Sequence, residues 1–119
     1  MNRKIYINVF VNNIARYQEF FQNLGFDFDY ERSDETKVYL SLSCSTYIIF
    51  IEDKLAINNQ NNNLVIGMFA NSKQEVLDTC NLAFKHDAYQ VSEPFENEKL
   101  FKWAFKDFDN NMWEIIYEK

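Results

Sequence analysis

The sequence predicts an α+β fold made of two tandem β-α-β-β-β modules, with curved mixed sheets around a shared cleft. Three observations lead there. Two amphipathic helical stretches each follow a short alternating strand. Three more strand-like segments follow each helix. A polar run then divides the chain into a first module (1–52), a linker (53–63) and a second module (64–119) of one domain.

Residues 4–11 alternate, with Ile5, Ile7, Val9 and Val11 on one side and Tyr6, Asn8 and Phe10 on the other. Asn12 or Asn13 can cap the helix that follows. That helix carries Ile14, Tyr17, Phe20, Phe21 and Leu24 on one stripe and stops at Gly25. Strands are expected near 26–31, 37–44 and 46–52. The run Asn58-Asn59-Gln60-Asn61-Asn62-Asn63 has nothing to pack and reads as a solvated linker.

The pattern then restarts. Residues 64–70 alternate Leu64, Ile66, Met68 and Ala70 against Val65, Gly67 and Phe69. Ser72-Lys73-Gln74-Glu75 is a capping box. Val76, Leu77, Cys80, Ala83 and Phe84 form the buried side of the second helix, and strands are expected near 88–92, 100–106 and 112–118. Val11-Asn12 and Ala70-Asn71 are equivalent strand-to-helix junctions.

Composition narrows the function. A net charge of −6 disfavours nucleic acid and anionic membranes as partners. No apolar run approaches the ~20 residues of a membrane span, and Met1-Asn2-Arg3-Lys4 leads into a strand rather than a signal segment. Cys44 and Cys80 are too distant in sequence for a Cys-x-x-Cys pair and read as reduced core thiols, so the expected location is cytoplasmic. With two glycines there is no phosphate loop. His86, near the end of the second helix, is explained by the helix dipole.

The alternation assigns Ile5, Ile7, Val9, Val11, Ile49, Ile51, Ile66, Met68, Trp113, Ile115 and Tyr117 to the helix-facing core. The opposite faces, expected to line the cleft, carry Tyr6, Asn8, Phe10, Tyr39, Ser41, Ser43, Ile48, Phe50, Val65, Phe69, Glu114 and Ile116. Apolar concave walls with a few polar groups suit a small-molecule ligand. The same aromatics could instead fill the cup. The segment from Ser92 to Lys99 reads as a mobile lip whose acidity would favour a cationic ligand.

Three local signatures resemble the vicinal-oxygen-chelate superfamily, which includes glyoxalase I, the extradiol dioxygenases and the bleomycin-resistance proteins. They are Ile7-Asn8-Val9-Phe10-Val11-Asn12-Asn13-Ile14, the helix Tyr17-Gln18-Glu19-Phe20-Phe21-Gln22-Asn23-Leu24-Gly25-Phe26, and Asp107-Phe108-Asp109-Asn110-Asn111-Met112-Trp113-Glu114. In the last, Phe108 replaces a usual Pro and Asn110 a usual Gly. Metal-dependent members draw ligands from four strands, and the resemblance puts those slots on Tyr6, Ile48, Val65 and Glu114. Of these only Glu114 is a ready ligand. Tyr6 would have to become a phenolate from a pKa of ~10, and Ile48 and Val65 have no donor. No metal and no other cofactor is therefore expected.

Glu114 sits between large apolar residues and needs a partner. Lys102 and Lys106 are its expected ion-pair partners if Ala104 lies opposite; otherwise it is a hydrogen-bond acceptor or general base. The resemblance implies a glyoxalase/bleomycin-resistance-like, metal-free binding protein that forms a homodimer. A glyoxalase-like lyase or dioxygenase-like enzyme using Glu114, or a dimerisation module with a filled cup, are the alternatives.

Overall fold

The computed structural model describes residues 3–54 and 64–119. The chain divides into two compact units, Met1–Asn59 and Gln60–Lys119. Most of the expected linker lies outside the described residues.

The first unit runs β1 (Ile5–Val11), α1 (Ile14–Asn23), β2 (Asp27–Asp29), β3 (Lys37–Ser43) and β4 (Thr46–Glu52). Its sheet has the order β1-β4-β3-β2, parallel only between β1 and β4. The second runs β5 (Val65–Phe69), α2 (Lys73–Lys85), β6 (Tyr89–Gln90), β7 (Phe95–Glu96), β8 (Leu100–Lys106) and β9 (Met112–Glu118). Here the order is β5-β9-β8-β6, parallel only between β5 and β9, with β7 also on β8. Both units are thus mixed sheets with one helix; the first follows the expected β-α-β-β-β order, and the second follows it with β7 as an additional short strand.

Each helix begins and ends through local chemistry. Asn13 Oδ1 accepts from the Arg16 amide (3.2 Å) and Ser72 Oγ from the Glu75 amide (3.0 Å), each satisfying one open donor of the first turn. Both helices close in a paired hydrogen-bond motif. After α1, the Phe26 amide donates to Phe21 and Gly25 to Gln22, both at 3.0 Å; after α2, Ala88 donates to Ala83 (3.0 Å) and Asp87 to Phe84 (3.2 Å). The left-handed residue is Gly25 (φ 94°) in one and Asp87 (φ 78°) in the other.

α1 sets Tyr17, Phe20 and Phe21 against Val9, Val11, Val38, Leu40, Ile48 and Phe50, all buried. Phe50 meets the rings of Tyr17 (5.0 Å) and Phe21 (5.4 Å). This corrects the expected phase of β4. Ile48 and Phe50 belong to the core, while Ile49 and Ile51 share the other face with Tyr47. The cause is a bulge in β3: Ser43 pairs Thr46, but Ser41 pairs Tyr47 rather than Ile48. One extra residue inverts every side chain beyond it. Ile5 and Ile7 hold the helix-side parity of β1 but stay 54% and 37% exposed rather than joining the core.

In the second unit the expected phases hold. Ile66, Trp113, Ile115, Phe101, Trp103 and Phe105 are buried with Val76, Cys80 and Ala83 of α2. The strand expected near 88–92 is β6 alone, and a further edge strand, β7, lies inside the 92–99 segment expected as a lip. Gln90 pairs Phe105 and Phe95 pairs Lys102, so five steps on the edge face three on β8. Pro94 cannot donate to the ladder, and the Trp103 indole takes the Ser92 carbonyl at 2.7 Å inside the break. The segment expected as a mobile lip is tied down. Glu96 accepts from Lys73 (3.0 Å) and Lys119 (2.9 Å), and Lys119 also donates to the Asn97 carbonyl. Cys80 is buried as expected, but Cys44, in the β3–β4 turn, is exposed.

Candidate functional site

The open face of the first sheet carries Tyr6, Asn8 and Phe10 from β1, Tyr47, Ile49 and Ile51 from β4, and Lys37, Tyr39 and Ser41 from β3. A pocket of about 400 Å³ lies on it, lined by Lys4, Ile5, Tyr6, Asn8, Arg32, Lys37, Tyr39, Tyr47, Ile49 and Ile51. Tyr39 and Tyr47 are diagonal neighbours whose rings meet edge to face at 6.0 Å. Arg32, in the β2–β3 loop, reaches over Tyr47 with its guanidinium carbon 5.5 Å from the ring centre. Asp29, on β2, holds that guanidinium through Nε at 3.1 Å.

Of the expected ligand-facing residues, the pocket gathers Tyr6, Asn8 and Tyr39. Phe10 and Ser41 share the face without lining the pocket. Ile48 and Phe50 do not reach it, for the reason given by the β3 bulge. Val65, Phe69 and Glu114 lie on the open face of the second sheet, Val65 and Phe69 well exposed. Missing from the expected set were Lys4, Ile5, Arg32, Lys37, Tyr47, Ile49 and Ile51. Tyr47-Ile48-Ile49-Phe50-Ile51 is apolar at every position, so periodicity alone cannot orient it. Its pairing with β1 could have, because Phe50 lies beside Val9.

Glu114 faces Ala104 across the β8–β9 pair, as expected, and Lys102 Nζ stands 3.8 Å from its Oε2. Both side chains keep partial exposure (28% and 37%). Lys102 also lies over the Phe95 ring at 5.8 Å. On the parallel neighbour β5 the residue beside Glu114 is Gly67, which has no side-chain donor.

The register locates the positions that resemble metal slots. Gly67 pairs Glu114 in the second unit and Asn8 pairs Ile49 in the first, so Ile49, not Ile48, is the counterpart of Glu114. Tyr6 and Ile49 thus belong to the first unit and Val65 and Glu114 to the second, and Ile49 and Val65 are aliphatic. A catalytic zinc needs about three protein ligands, and neither unit offers more than one donor-bearing side chain at these positions. Among the described residues, no group of three or more His, Cys, Asp or Glu side chains could hold an ion.

The turn before Glu114 holds a second carboxylate that is fully buried, Asp107. Its Oδ1 accepts from the amides of Asp109 (2.9 Å) and Asn111 (3.0 Å), and its Oδ2 from the Trp113 indole (2.9 Å). Asn110 takes the left-handed conformation (φ 69°), which explains why Asn can stand where Gly is usual. Asn111 Oδ1 accepts from the Leu64 amide (3.1 Å), tying the turn to the start of β5. This acidic, amide-rich segment is therefore a structural clasp.

No protein-family model matches the chain, and no curated protein matches its sequence. Solved structures do match its fold. It is similar to a hypothetical protein of S. aureus at 21% identity, over 98% of both chains, with a TM-score of 0.79. It is similar to a glyoxalase/bleomycin resistance protein/dioxygenase family enzyme of Burkholderia phytofirmans PsJN at 17% identity, over 94% of this chain and 95% of the other, with a TM-score of 0.78. A genomically encoded fosfomycin resistance protein of Listeria monocytogenes matches at 18% identity, over 100% of this chain and 93% of the other, with a TM-score of 0.74.

Proposed function

For a chain with the glyoxalase/bleomycin-resistance fold of the vicinal-oxygen-chelate superfamily, we propose a small-molecule binding protein that works without a metal ion, its receptor the open face of the first sheet. The observation that carries this reading is the pocket of about 400 Å³. That volume falls within the ~300–1,000 Å³ typical of small-molecule sites. Tyr6, Tyr39 and Tyr47 offer ring faces and hydroxyls, Ile49 an apolar floor, and Asn8 an amide that can donate and accept. Ligand would be sequestered or carried rather than transformed, since no activated nucleophile or donor set accompanies these residues.

A thermal-shift screen of aromatic small molecules tests the reading. A hit raises Tm in a concentration-dependent way. Tyr39→Ala should weaken that hit by roughly three- to tenfold, the worth of one aromatic contact. A hit insensitive to both Tyr39→Ala and Tyr47→Ala would place binding elsewhere, and a broad panel without any stabilisation would count against a receptor.

A homodimer belongs to the same proposal. Val65 and Phe69 are 64% and 72% exposed on the open face of the second sheet, where large apolar side chains favour cover. Sedimentation velocity tests it, and a single monomeric boundary at high concentration would exclude it. A cytoplasmic location is proposed from the two free thiols. No helix of the described residues is long and apolar enough to cross a membrane.

A further inference from the structure

The first-sheet pocket is segregated by charge in a way that opposes the chain as a whole. Acidic residues outnumber basic ones by 18 to 12. Yet the lining contains Lys4, Arg32 and Lys37 and no carboxylate. The three cations come from separate places: the residue before β1, the β2–β3 loop and the first residue of β3.

Most of this positive charge lies outside close ion pairs, although, after the Thr36 hydrogen bonds and last among the causes, the Lys37 charge helps hold the Asp34 carboxyl below its usual value. Among the described residues, neither Lys4 nor Lys37 has a carboxylate within 4 Å. Asp34, the acid beside Lys37, is turned into its own loop. Its Oδ1 accepts from the Thr36 amide (2.8 Å), the Thr36 hydroxyl (2.9 Å) and the Lys37 amide (3.1 Å). Arg32 spends only Nε on Asp29, and its terminal nitrogens make no hydrogen bond among the described residues. A guanidinium with free donors over an aromatic ring suits an oxyanion. Ring faces and an aliphatic floor lie beside it.

We propose that this pocket takes a small aromatic anion, its ring against Tyr39, Tyr47 and Ile49 and its acid group toward Arg32 and Lys37. The assignment rests on the small-molecule reading above and adds the charge of the ligand. It differs from the cationic ligand suggested by the acidic 92–99 segment, because none of that segment lines the pocket and the lining holds no carboxylate.

Titration calorimetry of the full chain with three matched probes decides it: naphthoate, naphthamide and naphthylmethylammonium. Naphthoate should bind about tenfold or more tighter than naphthamide, the worth of a charged hydrogen bond. The ammonium probe should bind weakest. Added salt should weaken naphthoate alone. Lys37→Gln, which breaks no ion pair and is checked for folding by its melting curve, should cost naphthoate several-fold and leave naphthamide unchanged. If naphthamide matches naphthoate, or the ammonium probe is preferred, the anion assignment is wrong while the pocket stands. If none of the three binds, both the assignment and the receptor reading fall.

Discussion

Asp107 shows how much one side chain can organise. Its carboxylate is fully buried yet serves two backbone amides and an indole, and the β8–β9 turn is shaped around it. Asp107→Ala would remove the acceptor that three donors share, and should cost roughly 3 kcal/mol or more in urea denaturation. Asp107→Asn keeps one acceptor oxygen and should cost less. Glu114, seven residues on, is a different case. Its pair with Lys102 is long and half solvated, so Glu114→Gln should change stability by less than about 1 kcal/mol. It should leave binding in the first-sheet pocket unchanged, as a titration of the variant would check. The two thiols also separate by environment. Burial pushes the Cys80 thiol up to about 12, while Cys44 is exposed. A thiol reagent at neutral pH should modify Cys44 alone in the native state and reach Cys80 only in denaturant.

The two helices end in the same hydrogen-bond motif with different residues at its left-handed position, which makes them a natural internal comparison. Gly25 adopts φ 94° without strain, and a Cβ there would meet nothing within 4 Å. The penalty for Gly25→Ala is therefore conformational alone and should be about 1 kcal/mol. Asp87 holds φ 78° with a side chain. Asp87→Gly should relieve strain and stabilise the fold by up to about 1 kcal/mol. Thermal denaturation of the two variants should move in opposite directions. The edge of the second sheet shows the complementary principle. Where Pro94 interrupts the ladder, a side-chain donor from Trp103 takes the carbonyl the ladder cannot serve.

At the scale of the molecule, one exposed carboxylate joins distant parts of the second unit, in addition to the bonds of Lys119 to the Asn97 and Lys99 carbonyls. Glu96 links the start of α2, through Lys73, to Lys119. Hydrogen bonds from Lys119 and then Lys73 hold its carboxyl below the usual value of 4.5. A folded pKa below the unfolded one means that the unfolded chain binds the proton first. The contribution is thus fully present above the unfolded value and lost as pH falls through the folded one. Glu96→Gln should accordingly be less stable than the parent at neutral pH, and the gap should close as pH drops below about 4. A gap that is constant from neutral to strongly acidic pH would mean the clamp does not act through charge.

Element order apart from β7, both helices with their caps, and the faces of β1, β3, β5 and β9 were legible from the sequence, because each is a local pattern of period two or 3.6 with its own start and stop signals. Asn8 and Tyr39 could be placed on the open face for that reason. The phase of β4 was not legible. Tyr47 through Ile51 is apolar at every step, and its orientation follows from the extra residue in β3, a property of two strands in register. The cationic rim was hidden for a related reason. Lys4, Arg32 and Lys37 are ordinary surface residues in sequence, and only the sheet and its β2–β3 loop bring them around one pocket. Local chemistry determined which elements form. Pairing between distant strands decided which side chains share a face, since no residue carries in its own neighbourhood the register of its partner.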